Sequence, residues 1–106
     1  MYPYGDYNPS IVSAVSDAGY SGARSVDFGF NDKSTDRYAL KTMEINSSTT
    51  LEQLESWTRS AMDNRTWLIL MFHQVDNSGN RYGTSPAQIQ SYVDFLVDNG
   101  IPTVTL

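Results

Sequence analysis

The chain has no cysteine. That excludes a disulfide framework, a thiolate nucleophile and any cysteine-bound metal. It has one histidine, His73. A catalytic zinc needs about three protein ligands, and one imidazole with scattered carboxylates makes no convincing set. Basic residues are few: seven Lys and Arg stand against twelve Asp and Glu, for a formal net charge of −5. They form no cluster, which argues against a nucleic-acid backbone or an anionic membrane surface as partner. No apolar run nears the ~20 residues of a membrane-spanning helix, and the N-terminus lacks a basic-then-apolar leader pattern. Gly-x-Gly-x-x-Gly and Walker patterns are missing, so phosphate and dinucleotide binding are not expected. The residue types of a Ser-His-Asp triad are present without a nucleophile-elbow sequence. There is no internal repeat of solenoid type.

What is there is an ordinary globular composition, 40% hydrophobic and 18% charged, in one domain's length of chain. The longest apolar run is Trp67-Leu68-Ile69-Leu70-Met71-Phe72, and it ends on His73. A run apolar at every position predicts a strand buried on both faces of a parallel sheet. Chemistry in such sheets gathers beyond the carboxyl ends of the strands, where His73 lies. A hydrogen-bonded structural histidine is the alternative.

Along the chain, residues 2–8 are turn-forming and aromatic. Asn8 predicts a helix cap with Pro9 at the first position, Ile11, Ala14, Val15 and Ala18 on one face, and Gly19 as terminator. Tyr20–Ser25 predicts a short strand, with Gly22 and Ala23 small enough for close packing. Residues 26–38 form a long polar loop, of a length typical of binding loops and also of plain surface excursions. Leu40–Ile45 predicts a second strand. Thr50 and Gln53 form a capping box for a helix that buries Leu51, Leu54, Thr58, Ala61 and Met62, with Trp57 at its edge. After the strand at 67–72 comes a second polar loop, residues 74–84, whose Asn77-Ser78-Gly79-Asn80 is turn chemistry. Ser85, Pro86 and Gln88 predict another capping box, Ile89, Tyr92, Val93 and Leu96 the buried stripe of the last helix, and Gly100 its end. Ile101–Leu106 predicts a closing strand. This alternation predicts an α/β fold with mostly parallel strands and about three main helices.

Two motifs then meet. Tyr2-Pro3-Tyr4-Gly5-Asp6-Tyr7-Asn8, followed by a helix and Ala18-Gly19-Tyr20, resembles the third motif of the polysaccharide deacetylases, the NodB-homology carbohydrate esterases. Leu70-Met71-Phe72-His73 resembles their fifth motif, Leu-x-x-His. Gly22-Ala23-Arg24-Ser25, Thr66-Trp67-Leu68-Ile69-Leu70 and Ile101-Pro102-Thr103-Val104-Thr105-Leu106 are also similar to the family, so the resemblance covers essentially the whole chain.

The resemblance implies a distorted (β/α) barrel and metal-dependent removal of N- or O-acetyl groups from a polysaccharide or oligosaccharide. It gives the Tyr4 backbone N–H the oxyanion of the tetrahedral intermediate and His73 the role of general acid. Leu70 would wall the acetyl pocket, with Tyr2 and Pro3 also on the substrate. The family's first motif, with the aspartate base and an aspartate ligand, has no counterpart here. Nor has its second, with two histidine ligands. The family's arginine near the third motif is missing too. The resemblance thus implies that residues 1–106 are the C-terminal half of such a domain, a half-barrel. Met1 reads as an added start in front of a cut inside a larger domain. The half itself holds no cofactor, the complete domain would take a divalent metal (zinc or cobalt), and the chain alone would be inactive. The residue that tunes His73 stays open among Asp27, Asp36, Lys41 and Glu44. Cut strands and uncovered apolar faces predict homo-oligomerisation or an N-terminal half in trans. A second reading is a non-catalytic carbohydrate-binding or structural half-barrel, with Tyr2, Tyr4, Tyr7, Phe28, Phe30 and Tyr82 as stacking faces or as packing. A third is a fragment made to study half-barrel folding. The family works mostly outside the cell or at its envelope; the chain carries no address of its own.

Overall fold

The structure, a computed structural model, describes residues 1–104. It is mixed α/β. Three α-helices, α1 (Pro9–Asp17), α2 (Leu51–Asn64) and α3 (Pro86–Asp98), alternate with short strands. These are β1 (Arg24–Phe28), β2 (Leu40–Ile45), β3 (Leu70–Phe72), β4 (Gln74–Val75) and β5 (Gly83–Thr84). One sheet has the order β1-β2-β3, the other holds β4 and β5, and the β1–β2 and β4–β5 pairs are parallel. Among the described residues the sheets form no closed barrel. No described helix is long and apolar enough to cross a membrane. The chain divides into two compact units, one of Met1–Glu44 with Ala61–Met71, the other of Ile45–Ser60 with Phe72 onward.

In the first unit the sheet is built around a bulge. Arg24 faces Leu40 and Phe28 faces Thr42, so β1 carries extra residues against β2. Ser25, fully buried, fills the irregularity: its hydroxyl donates to the Leu40 carbonyl at 2.9 Å and accepts from the Asp27 N–H at 3.1 Å. A bulge re-aims the side chains that follow it. Asn31, 2% exposed, is the second internal fastener. Its amide donates to the Lys41 and Trp67 carbonyls, its oxygen accepts from the Lys41 N–H, and its backbone pairs both ways with Trp67. A buried amide is tolerable only when bonded in this way, since each unmet group costs about 1–3 kcal/mol. The smallness of Gly22 is also explained: a Cβ there would lie 2.7 Å from the Arg37 carbonyl oxygen, which accepts from the Ala23 N–H. Tyr2, Met43, Ala61, Ile69 and Met71 are the buried apolar side chains.

In the second unit, α2 opens on the capping box expected from sequence: Gln53 N–H donates to Thr50 Oγ1 at 3.2 Å, and Thr50 N–H to the Gln53 side chain at 3.0 Å. Ser85 caps α3 through the Gln88 N–H at 3.1 Å. Here the box is half-made, because the Gln88 amide donates to the Thr49 carbonyl instead. Leu54, Thr58 and Tyr92 are buried. Thr58 gives its one proton to the Leu54 carbonyl at 2.8 Å, so it accepts from Tyr92 Oη at 2.6 Å.

Six expectations are corrected. The strand read at Tyr20–Ser25 lies at Arg24–Phe28, sharing only Arg24 and Ser25 with that span and running on into what read as loop, because the bulge at Ser25 hides the alternation. The apolar run is an outer strand of only three residues, Leu70–Phe72, and not a strand buried on both faces: Ile69 and Met71 are buried while Leu68, Leu70 and Phe72 are half-buried and Trp67 is exposed. α1 buries no residue fully; Val12 and Val15 are half-covered and Ile11 is exposed. Met62 on α2 and Val93 on α3 face solvent. Of the closing strand, residues 101–104 form none, and Thr105 and Leu106 lie outside the described residues. The 74–84 loop, conversely, contains β4 and β5.

Candidate functional site

The first unit presents a backbone turn. Pro3 begins a 3₁₀ turn over Pro3–Gly5, and Tyr4 is held at φ 55° and ψ 14°, with Gly5 at φ 73°. A tyrosine in the left-handed region costs about 1–3 kcal/mol and persists only where its surroundings fix it. Here they do. Gly5 N–H donates to the Tyr2 carbonyl at 2.9 Å and Asp6 N–H to the Pro3 carbonyl at 3.0 Å. A Cβ on Gly5 would run into the Val26 side chain, so the turn lies directly on β1. Tyr2, 2% exposed, donates its hydroxyl to the Tyr38 carbonyl at 2.6 Å and stacks on Tyr7 with ring centroids 5.0 Å apart. Tyr7 donates to Asp27 Oδ2 at 2.6 Å, which raises its pKa above the ordinary tyrosine value. Burial, then the charge of Asp36, does the same to Tyr2. The first N–H groups of a helical turn have no partner inside it. The Tyr4 N–H is such a donor, on a backbone fixed from both sides, while its ring is 99% exposed.

His73, in the second unit, is exposed between the end of β3 and the start of β4. Its ring meets Tyr82 edge-on, centroids 5.0 Å apart and planes at 61°. The Arg81 guanidinium lies 5.3 Å from the centroid of the Tyr82 ring. The sequence named Tyr82 only as a stacking face and gave Arg81 no role. No motif marks the pair; the signal was the turn chemistry of residues 77–80, which returns the chain beside His73.

Tyr2, Pro3, Tyr4 and Leu70 belong to the first unit and His73 to the second. Tyr2 is packed inside, Pro3 is exposed, and Leu70 is half-buried on β3. Of the residues considered for tuning His73, Asp27 is engaged by Tyr7 and by the turn at Ser25, and Asp36 accepts from the Tyr38 N–H at 2.9 Å. The alkyl chain of Lys41 covers Gly29, and Glu44 is half-buried. Among the described residues no group of three or more His, Cys, Asp or Glu side chains could hold a metal ion.

No family model matches this chain, and neither a curated protein nor a solved structure does.

Proposed function

We propose that the chain is the C-terminal, half-barrel part of a polysaccharide deacetylase domain, acting on acetylated polysaccharide or oligosaccharide only together with groups it does not contain. The observation that carries this reading is the Pro3-Tyr4-Gly5 turn, where a non-glycine residue is held left-handed with its N–H at the start of the turn. Strain of this kind clusters where a backbone group must be aimed. A preorganised donor of this type is worth about 3 kcal/mol of barrier in acyl transfer.

In this reading the Tyr4 N–H donates to the oxygen that becomes negative as the acetyl carbonyl turns tetrahedral. His73, in its imidazolium form, gives its proton to the departing amine or alcohol, so that the leaving group goes neutral. Leu70 offers apolar surface to the acetyl methyl. Tyr2 and Pro3 serve the substrate by fixing the turn, since Tyr2 is buried. In this reading water activation falls to the base and the metal ligands of the family's first two motifs, which the reading places outside this chain.

The test is acetate release from N-acetylglucosamine oligomers, with and without added Zn²⁺ or Co²⁺. It compares the chain alone, the chain with an N-terminal half carrying the family's first two motifs, and the same pair with His73→Ala. The expected result is release only from the pair, lost in His73→Ala. Release from the chain alone would place base and metal ligands in this half and overturn the account. No release from the pair, with binding of the oligomers retained, would favour the carbohydrate-binding reading. That reading draws on the exposed rings of Tyr4 and Phe28, the latter 69% exposed.

A further inference from the structure

We infer that the loop from Asp76 to Tyr82 is a positioning device for the His73 imidazole, and that Tyr82 is its working residue. The significance of the device rests on the general-acid reading of His73; its existence does not.

The inference begins with register. β4 and β5 pair in parallel, Gln74 against Gly83 and Val75 against Thr84. Extended by one residue, this places His73 against Tyr82. In a parallel ladder, residues in register point to the same face. The two rings accordingly meet at 5.0 Å in an edge-on arrangement. The backbone holds Tyr82 there, with Gln74 N–H donating to the Tyr82 carbonyl at 3.2 Å and Asp76 N–H to the Thr84 carbonyl at 3.0 Å.

Two strands of two residues cannot fix such a register alone, since an isolated pair that short is not stable. The loop between them supplies the rest. Asp76 Oδ1 accepts from the N–H and hydroxyl of Ser78 at 3.1 and 2.7 Å. Ser78 Oγ accepts from the Asn80 N–H at 3.2 Å, and Asn80 Oδ1 from the Tyr82 N–H at 3.2 Å. Each second residue thus fixes the next, from the start of the loop to Tyr82. The Gln74 side-chain amide also donates to the Asp76 carboxylate. The Arg81 carbonyl accepts from the Ser47 N–H at 2.9 Å, anchoring the far side. Gly83 completes the closure: a Cβ there would lie 3.1 Å from the Asn80 carbonyl oxygen and 3.3 Å from Asp76 Oδ1. The Arg81 guanidinium also lies over the Tyr82 ring, 5.3 Å from its centroid.

His73 is exposed between two strands, and an edge-on neighbour restricts the rotamers open to its ring. A proton donor delivers its proton only within hydrogen-bond reach and alignment of the acceptor, so restricting the ring favours transfer. Tyr82 touches no reacting atom in this scheme; it acts through His73.

The experiment uses the fact that His73 is the only histidine. With histidine-selective isotope labelling of the intact chain, one imidazole gives one set of ring-proton signals. In the native chain these are expected away from their positions in concentrated urea, with a nuclear Overhauser effect to the Tyr82 ring. Tyr82→Phe should retain both. Tyr82→Ala should lose the cross-peak and move the shifts toward the urea positions. Asp76→Ala, which releases the loop without touching either ring, should weaken the cross-peak while circular dichroism holds the helices unchanged. Unmoved shifts in Tyr82→Ala, or equal loss in Tyr82→Phe, would overturn the inference. The outcome is separable from the functional reading. Correct ring signals with no acetate release from the assembled halves would sink the deacetylase and spare the positioning. Acetate release undiminished by Tyr82→Ala, with the ring signals lost, would spare the deacetylase and overturn the role of the positioning in it.

Discussion

At the residue scale, Tyr92 shows how one side chain ties stability to pH. It is 5% exposed, and burial raises its pKa above the ordinary value of 10.0. The folded chain therefore holds it neutral where the unfolded chain would ionise it. The resulting stabilisation is fully present below the unfolded value and is lost as pH rises through the higher folded value. Tyr92→Phe removes the group that must ionise and also its hydrogen bond to Thr58. The expected result is a loss of about 1 kcal/mol at neutral pH, together with a shallower fall of stability in alkali. Urea unfolding followed across the alkaline range measures both. A slope equal to that of the unmodified chain would refute the assignment. Tyr2, raised by the same cause, leaves a residual slope in either case.

At the scale of elements, the two capping sites look alike in sequence and differ in structure. Thr50 with Gln53 closes a reciprocal box, whereas Gln88 turns away from Ser85 to the Thr49 carbonyl. Thr50→Ala and Ser85→Ala should each cost about 1 kcal/mol, the ordinary value of a cap. The glutamines should separate them. Gln53→Ala loosens the start of α2 itself, so amide exchange should quicken in its first turn. Gln88→Ala leaves the α3 cap in place, and exchange should quicken around Thr49 instead. Quickening at the α3 N-terminus in Gln88→Ala would show that the box is reciprocal after all. α1 is the contrasting case. Asn8 caps it through the Ile11 N–H at 2.9 Å, but it buries no side chain fully. Local chemistry therefore carries a larger share of its stability than in α2 or α3.

At the scale of the whole molecule, the prediction is self-association. β1 and β3 are the outer strands of their sheet, and outer strands present unpaired backbone groups. β1 also exposes Val26 and Phe28. Light scattering should give an average mass that rises with concentration, and Phe28→Lys should lower it, since charge on an outer strand opposes pairing. A monomer at every concentration would count against both the self-association and the half-barrel reading that motivates it.

The sequence by itself determined what is local. The span of β2, Asn8 and Pro9 at the start of α1, the Thr50 box and the Ser85 cap were legible because each rests on residues a few positions apart, whose chemistry acts on their own backbone. The Pro3-Tyr4-Gly5 turn was legible for the same reason. Tertiary structure alone decided the rest. The bulge at Ser25 moved β1, because a buried hydroxyl found the Leu40 carbonyl. The run at 67–72 became a three-residue outer strand, because burial depends on which strands flank it and no periodicity records that. Gln88 left its box for a carbonyl 39 residues away. Tyr82 came beside His73 through a ladder of side-chain bonds that only the folded loop brings into register. Long-range partners are chosen by mutual satisfaction of buried and polar groups, and that choice is made only once the chain has closed upon itself.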